Sequence, residues 1–139
     1  MGLKRAAGTP PATPPKTAPS AAGRRDDAVR GEHWAIETDR DDVARLDIPP
    51  HATRERSFEI WCSFRVAHPG TGDAAHALRV LVDGAQEWSR RVPTDPGGRD
   101  ALDVRLRRVV PAGRPLRLTA IGTVERAVPL GLSISADED

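Results

Sequence analysis

ALRVLVDGAQEWSRRVPTDPGGRDALDVRLRRVVPAGRPLRL, residues 77–118, decides the fold class. It reads as strand, tight turn, strand, loop, strand, tight turn, strand. Asp83-Gly84 is the first turn. A two-residue type I′ turn needs positive φ at both central positions, and Asp-Gly between alternating apolar residues meets that need. Pro111-Ala112-Gly113 is the second turn, with Pro fixing φ and Gly supplying a left-handed position. Strands joined in this way favour an antiparallel sheet.

The same alternation extends in both directions. EHWAIET opens the body near Glu32, with Trp34 and Ile36 on one face. VARLDIP follows and ends at Pro49-Pro50; HATRER reads as a loop. Ser57–Ala67 is the longest predicted strand. Phe58, Ile60, Cys62, Phe64 and Val66 share one face, and Glu59, Trp61, Ser63 and Arg65 share the other. Period two over such a run marks the first set as core. Downstream, Leu78, Val80, Val82, Trp88, Val92, Leu102, Val104, Leu106 and Val110 face in, then Leu116, Leu118 and Ala120. Arg108 breaks the inward row, so a strand end or a bulge is expected there. In VPLGLSIS, Pro129 argues for a strand that is an edge or starts late, and ADED reads as a charged tail. About eight short strands with frequent turns and no helical period predict an all-β, antiparallel two-sheet sandwich, jelly-roll-like.

Residues 1–31 differ in kind. Five of the 13 prolines precede Ser20, amid Ala, Gly, Thr and Lys. No apolar face recurs, so the segment cannot offset its ordering entropy and reads as a flexible arm. Domain organisation is thus an arm, 1–31, and a sandwich, 32–139, that should fold without it. Residues 1–30 carry six basic residues (Lys4, Arg5, Lys16, Arg24, Arg25, Arg30) against two acidic (Asp26, Asp27), hence +4. The remainder holds 15 of the 21 basic and 18 of the 20 acidic residues, hence −3. A basic arm on a mildly acidic body suits an acidic partner surface.

Composition excludes several classes. No apolar run approaches the ~20 residues of a membrane helix. No apolar stretch follows the basic start, so no secretory signal is expected, and the chain is placed in the cytoplasm or within an assembled particle. The single Cys62 allows no internal disulfide and suits a reducing compartment. G-x-S-x-G, phosphate-loop, dinucleotide and zincin motifs are absent, so no catalytic residue and no cofactor is assigned. His68, Asp73 and His76 match no familiar zinc spacing. Asp39, Asp41 and Asp42 lack a calcium-loop pattern. No metal is therefore expected. Without aromatics between its basic residues, the arm offers nothing to stack bases, so nucleic acid is not an expected partner.

RVLVDGAQEW followed by RDALDVRLRRVVPAGRPLRL resembles the C-terminal half of galactose-binding-like carbohydrate-binding modules, and SFEIWCSFRV resembles their preceding long strand. The resemblance implies a jelly roll and a glycan-binding function. In that family sugar sites usually combine exposed Trp or Tyr with Asn, Asp or Arg; this chain has no Tyr and no Asn.

Candidate binding residues follow from parity. Trp61 falls outward on the long strand, beside Glu59 and Arg65, where it can anchor a protein or stack on a sugar ring. Arg105, Arg107 and Arg117, with Asp103, read as an outward row on two adjacent strands. Lys4, Arg5, Lys16, Arg24 and Arg25 supply the charge of the arm. The expected role is a non-catalytic structural or accessory subunit, of decoration or capsid type, docking on protein subunits of a larger assembly, its own kind included. The alternative is a carbohydrate-binding module.

Overall fold

A computed structural model describes residues 31–40 and 42–139. They form eight strands: β1 (His33–Thr38), β2 (Val43–Ile48), β3 (Arg56–Ala67), β4 (Ala75–Val82), β5 (Ala85–Pro93), β6 (Arg99–Val110), β7 (Leu116–Glu125) and β8 (Val128–Glu138). One sheet runs β1-β8-β3-β6 and the other β2-β7-β4-β5. Every ladder is antiparallel. The chain changes sheet at each connection except β4–β5, which is the jelly-roll path. The basic arm residues Lys4, Arg5, Lys16, Arg24 and Arg25, and Asp41, lie outside the described residues.

The β4–β5 link is the expected hairpin. Asp83 takes φ 51° and Gly84 φ 86°, the left-handed pair of a type I′ turn. The Asp83 carboxylate also accepts the Arg117 N–H at 2.9 Å, tying the turn to β7. Pro111-Ala112-Gly113 behaves otherwise. Gly113 has φ 79°, as a turn requires, yet β6 and β7 belong to different sheets. The second turn is therefore a crossing and not a hairpin. A reversal of direction does not itself decide whether the returning strand pairs beside the first or lies across the core from it.

The core lies between the sheets. Phe58, Ile60, Cys62, Phe64 and Val66 are all buried; they lie beside Leu132 and Ile134 of β8 and face Leu78, Val80, Leu116 and Leu118 of the other sheet. Burial pushes the Cys62 thiol up to about 12, so it behaves as a small apolar residue.

Three edge expectations are corrected. Arg108 sits in an unbroken β3–β6 register opposite Phe58. No bulge is needed, because β6 is an edge strand whose inward row opens to solvent, where Arg108 meets Glu87 of β5 at 2.5 Å. Pro129 lies in β8, an interior strand. It is tolerated because β1 pairs with β8 only from Leu132 onward, and because the β3–β8 register shifts at Arg65/Val66. The last residues are not a tail either: β8 continues to Glu138, with Ala136 fully buried.

His76 belongs to β4 and is 1% exposed. Its Nδ1 meets Thr94 Oγ1 at 2.8 Å, and its Nε2 has no partner among the described residues. Desolvation lowers its pKa from 6.5, opposed by the charge of Asp100. A histidine with a depressed folded pKa is stabilising while both states are neutral. The sign follows: stability is full above about 6.5, where the unfolded imidazole also stays neutral, and falls as pH drops from there toward the folded value. Urea denaturation from pH 8 to 5 should show this decline, and His76→Gln should flatten it. An unchanged slope in the variant would place the titration elsewhere.

Candidate functional site

The outer face of the β1-β8-β3-β6 sheet is assembled row by row from the ladder registers. His33, Asp137, Glu59 and Arg107 form one row. Ala35, Ser135, Trp61 and Arg105 form the next, and Glu37, Ser133, Ser63 and Asp103 the third. Gly131, Arg65 and Ala101 follow. Small side chains thus make the floor, and one large aromatic stands in it. Trp61 is 46% exposed.

Charges ring that floor. The Arg105 guanidinium lies over the Trp61 ring, 4.9 Å from its centroid, a cation–π contact. Arg105 also approaches Glu59 at 3.9 Å. Arg107 donates to Asp139 at 2.6 Å, and His33 pairs with Asp137 across the β1–β8 ladder. Arg65 crosses β8 and donates to Glu37 on β1 at 2.8 Å. The crossing depends on Gly131. A Cβ there would lie 2.5 Å from Arg65 Nη2 and 2.8 Å from the Thr38 carbonyl oxygen. These exposed pairs orient the rim and each contribute only tenths of a kcal/mol.

The fold brings together Trp61, Glu59, Arg65, Arg105 and Arg107 from the sequence-derived set. It does not bring Arg117. That residue is on β7, in the other sheet, where its Nε donates to Asp47 at 2.7 Å. The expected row across adjacent strands is corrected for the same reason as the second turn: β6 and β7 never pair. Arg117 instead lines a shallow, open hollow of about 600 Å³ between Pro49, Pro115 and the Asp83-Gly84 turn.

Sequence reasoning missed the floor. Its signal is present in β8, where Gly131, Ser133 and Ser135 recur at every second position. Reading it requires knowing that β8 is the neighbour of β3. It also missed Arg56, assigned to a loop. Arg56 starts β3 on the inward row and is 2% exposed. It donates to Glu32 at 2.7 Å and to the Pro49 carbonyl at 2.8 Å, and lies over the Phe58 ring. Trp34 Nε1 donates to the same Glu32 carboxylate at 3.0 Å. Arg54 joins Glu32 to Glu138, completing a polar knot at one end of the sandwich.

His68, Asp73 and His76 do not converge, because His76 points into the core. Among the described residues no group of three His, Cys, Asp or Glu side chains is placed to hold a metal ion. No helix among them is long and apolar enough to cross a membrane.

No family model matches this chain, and no curated protein matches it. Among solved structures it is similar to the dimeric latent PorU of Porphyromonas gingivalis, with a TM-score of 0.45 and 9% identity over 77% of this chain and 13% of that one. It is also similar to a chain of the T13 IBDV viral particle, with a TM-score of 0.42 and 10% identity over 78% of this chain and 32% of that one. The chain therefore spans a minor part of either neighbour, and both likenesses are too distant to carry a role across.

Proposed function

We propose that this chain is a non-catalytic structural or accessory subunit that docks on the protein subunits of a larger assembly through the outer face around Trp61. The observation that supports the reading is the half-exposed Trp61 standing in a floor of Ala, Ser and Gly, ringed by charge. A flat floor lets another surface approach closely. An aromatic anchor inside a polar rim is the usual anatomy of a protein contact. Arg65, Glu59, Arg105 and Arg107 set orientation in that rim. Lys4, Arg5, Lys16, Arg24 and Arg25 add a salt-sensitive attraction from the N-terminal segment, and Arg117 serves a separate surface. A role of decoration or capsid type fits a jelly roll with such a segment.

A second reading is a carbohydrate-binding module. The same exposed ring, with Glu59 and Arg105 beside it, can stack on a sugar face and hydrogen-bond its hydroxyls.

Light scattering of the full chain, run beside a glycan array, separates the two. The subunit reading expects self-association that weakens in Trp61→Ala, no glycan signal, and an unchanged melting temperature. A monomer that binds a glycan, and loses it in Trp61→Ala, would replace the first reading by the second.

A further inference from the structure

The outer strand β6 carries a pattern that the Trp61 face does not use. β6 is twelve residues long and sits at the end of its sheet, bonded to β3 on one side only among the described residues. Its register with β3 is unbroken from Arg99 to Val110. The other edge strands are blunted. β1 and β2 have six residues each. The β4–β5 ladder carries a register shift, and β5 ends at Pro93. Shortness, bulges, proline and charge are the usual means of discouraging a sheet edge from pairing. β6 has only the charge, at Arg99, Asp100, Asp103, Arg105, Arg107 and Arg108.

Its sequence, RDALDVRLRRVV, is complementary about Val104 at three of the five position pairs, while Ala101/Arg107 and Arg99/Val109 set a charge against a neutral residue. One residue away on either side stand Asp103 and Arg105. Two away stand Leu102 and Leu106. Four away stand Asp100 and Arg108. An antiparallel copy with Val104 opposite Val104 therefore sets every one of these positions against its complement. A two-fold axis at one residue suits an antiparallel ladder, since directly opposed residues share a face.

We propose that β6 pairs with β6 of a second copy of this chain, antiparallel and centred on Val104. Asp103 of each copy faces Arg105 of the other on the outer face. Leu102 faces Leu106 and Val104 faces itself on the inner row. Asp100 faces Arg108 at the ends of that row. The contact is isologous and closed, as a two-fold dimer requires. It makes one continuous sheet from β1 of one copy to β1 of the other, with both Trp61 faces on the same side. Asp103 has no ion-pair partner among the described residues, and Arg105 holds the 3.9 Å approach to Glu59 and the cation–π contact with Trp61. Asp103 is free to turn toward a second copy, and Arg105 does so by leaving the Trp61 ring. The offered register avoids like charges: shifting the axis by one residue, to Arg105, would set that arginine against its own copy.

The inference goes beyond the Trp61 reading and rests on the β6 edge, which borders that face and shares Arg105 with it. Its test is sedimentation equilibrium of the full chain and two charge reversals. The wild type should dimerise. Asp103→Arg alone and Arg105→Asp alone should each weaken the dimer by about tenfold or more, since an attractive pair becomes repulsive at two symmetric positions. An equimolar mixture of the two variants should recover wild-type affinity, because each reversed residue then faces its opposite. The double variant Asp103→Arg/Arg105→Asp should recover it too. Recovery by mixing also shows that both variants fold. A wild type that stays monomeric, or variants that dimerise as the parent does, would overturn the proposal. Dimers lost on removing residues 1–30 but indifferent to the reversals would assign the contact to that segment. Dimers lost only in Trp61→Ala would leave the docking face standing and remove the β6 edge.

Discussion

Replacing Phe64 by Ala should lower the free energy of unfolding by about 3–5 kcal/mol, the range for deleting a buried phenyl ring. Phe64 is 1% exposed in the second half of β3. Its ring fills the space above Gly122 on β7. A Cβ at Gly122 would lie 2.7 Å from Phe64 Cε1 and Cζ, well inside contact. The ring also meets the His76 imidazole edge-on, with centroids 6.3 Å apart. The glycine has no side chain to move into the gap, so the cavity collapses poorly and the loss falls in the upper part of the range. Equilibrium denaturation in urea gives the number. A loss below about 1 kcal/mol would mean that the faces of β3 are exchanged, since a register slip of one residue inverts every side chain. The converse variant is informative. Gly122→Ala should destabilise by about 1–3 kcal/mol through overpacking. Phe64→Leu combined with Gly122→Ala should cost less than the two separately, because both changes act on one volume.

Glu32→Ala should cost about 3 kcal/mol. Removing one partner of a buried ion pair costs about 3–5 kcal/mol, because the other charge stays buried and unpaired. Here the stranded group is Arg56, whose side chain is 1% exposed, while Glu32 itself is 26% exposed and sets the expectation at the low end. Arg56 would keep only the Pro49 carbonyl and the face of Phe58. Trp34 would lose the acceptor of its indole N–H. Denaturation at low and high salt checks the origin of the loss. Salt weakens exposed pairs over a screening length of roughly 8–10 Å near physiological ionic strength, whereas a partly buried pair is screened much less. The difference between wild type and Glu32→Ala should therefore survive high salt. Truncation gives the same contrast: a chain starting at Glu32 should melt near the full chain, and one starting at Trp34 well below it. Equal melting temperatures would remove the Arg56–Glu32 pair from the account.

The sequence by itself determined what depends on neighbours along the chain. The alternation of Phe58, Ile60, Cys62, Phe64 and Val66 against Glu59, Trp61 and Ser63 needs only period two, so the core face and the exposure of Trp61 could be read directly. The Asp83-Gly84 turn follows from the φ that Gly and Asp tolerate. The tertiary structure alone decided which strands lie side by side. Pairing between distant strands is made by backbone groups that every residue carries, so it leaves no local mark in the chain. Hence Arg105 and Arg107 went to one outer face and Arg117 to the other, although all three alternate alike. Pro129 lies in an interior strand for the same reason: β1, its neighbour, ends before reaching it. Arg56 could not be read as core, because a buried guanidinium is stable only where Glu32 and the Pro49 carbonyl meet it. That meeting is made by three separate segments of chain and exists only once the sandwich has closed.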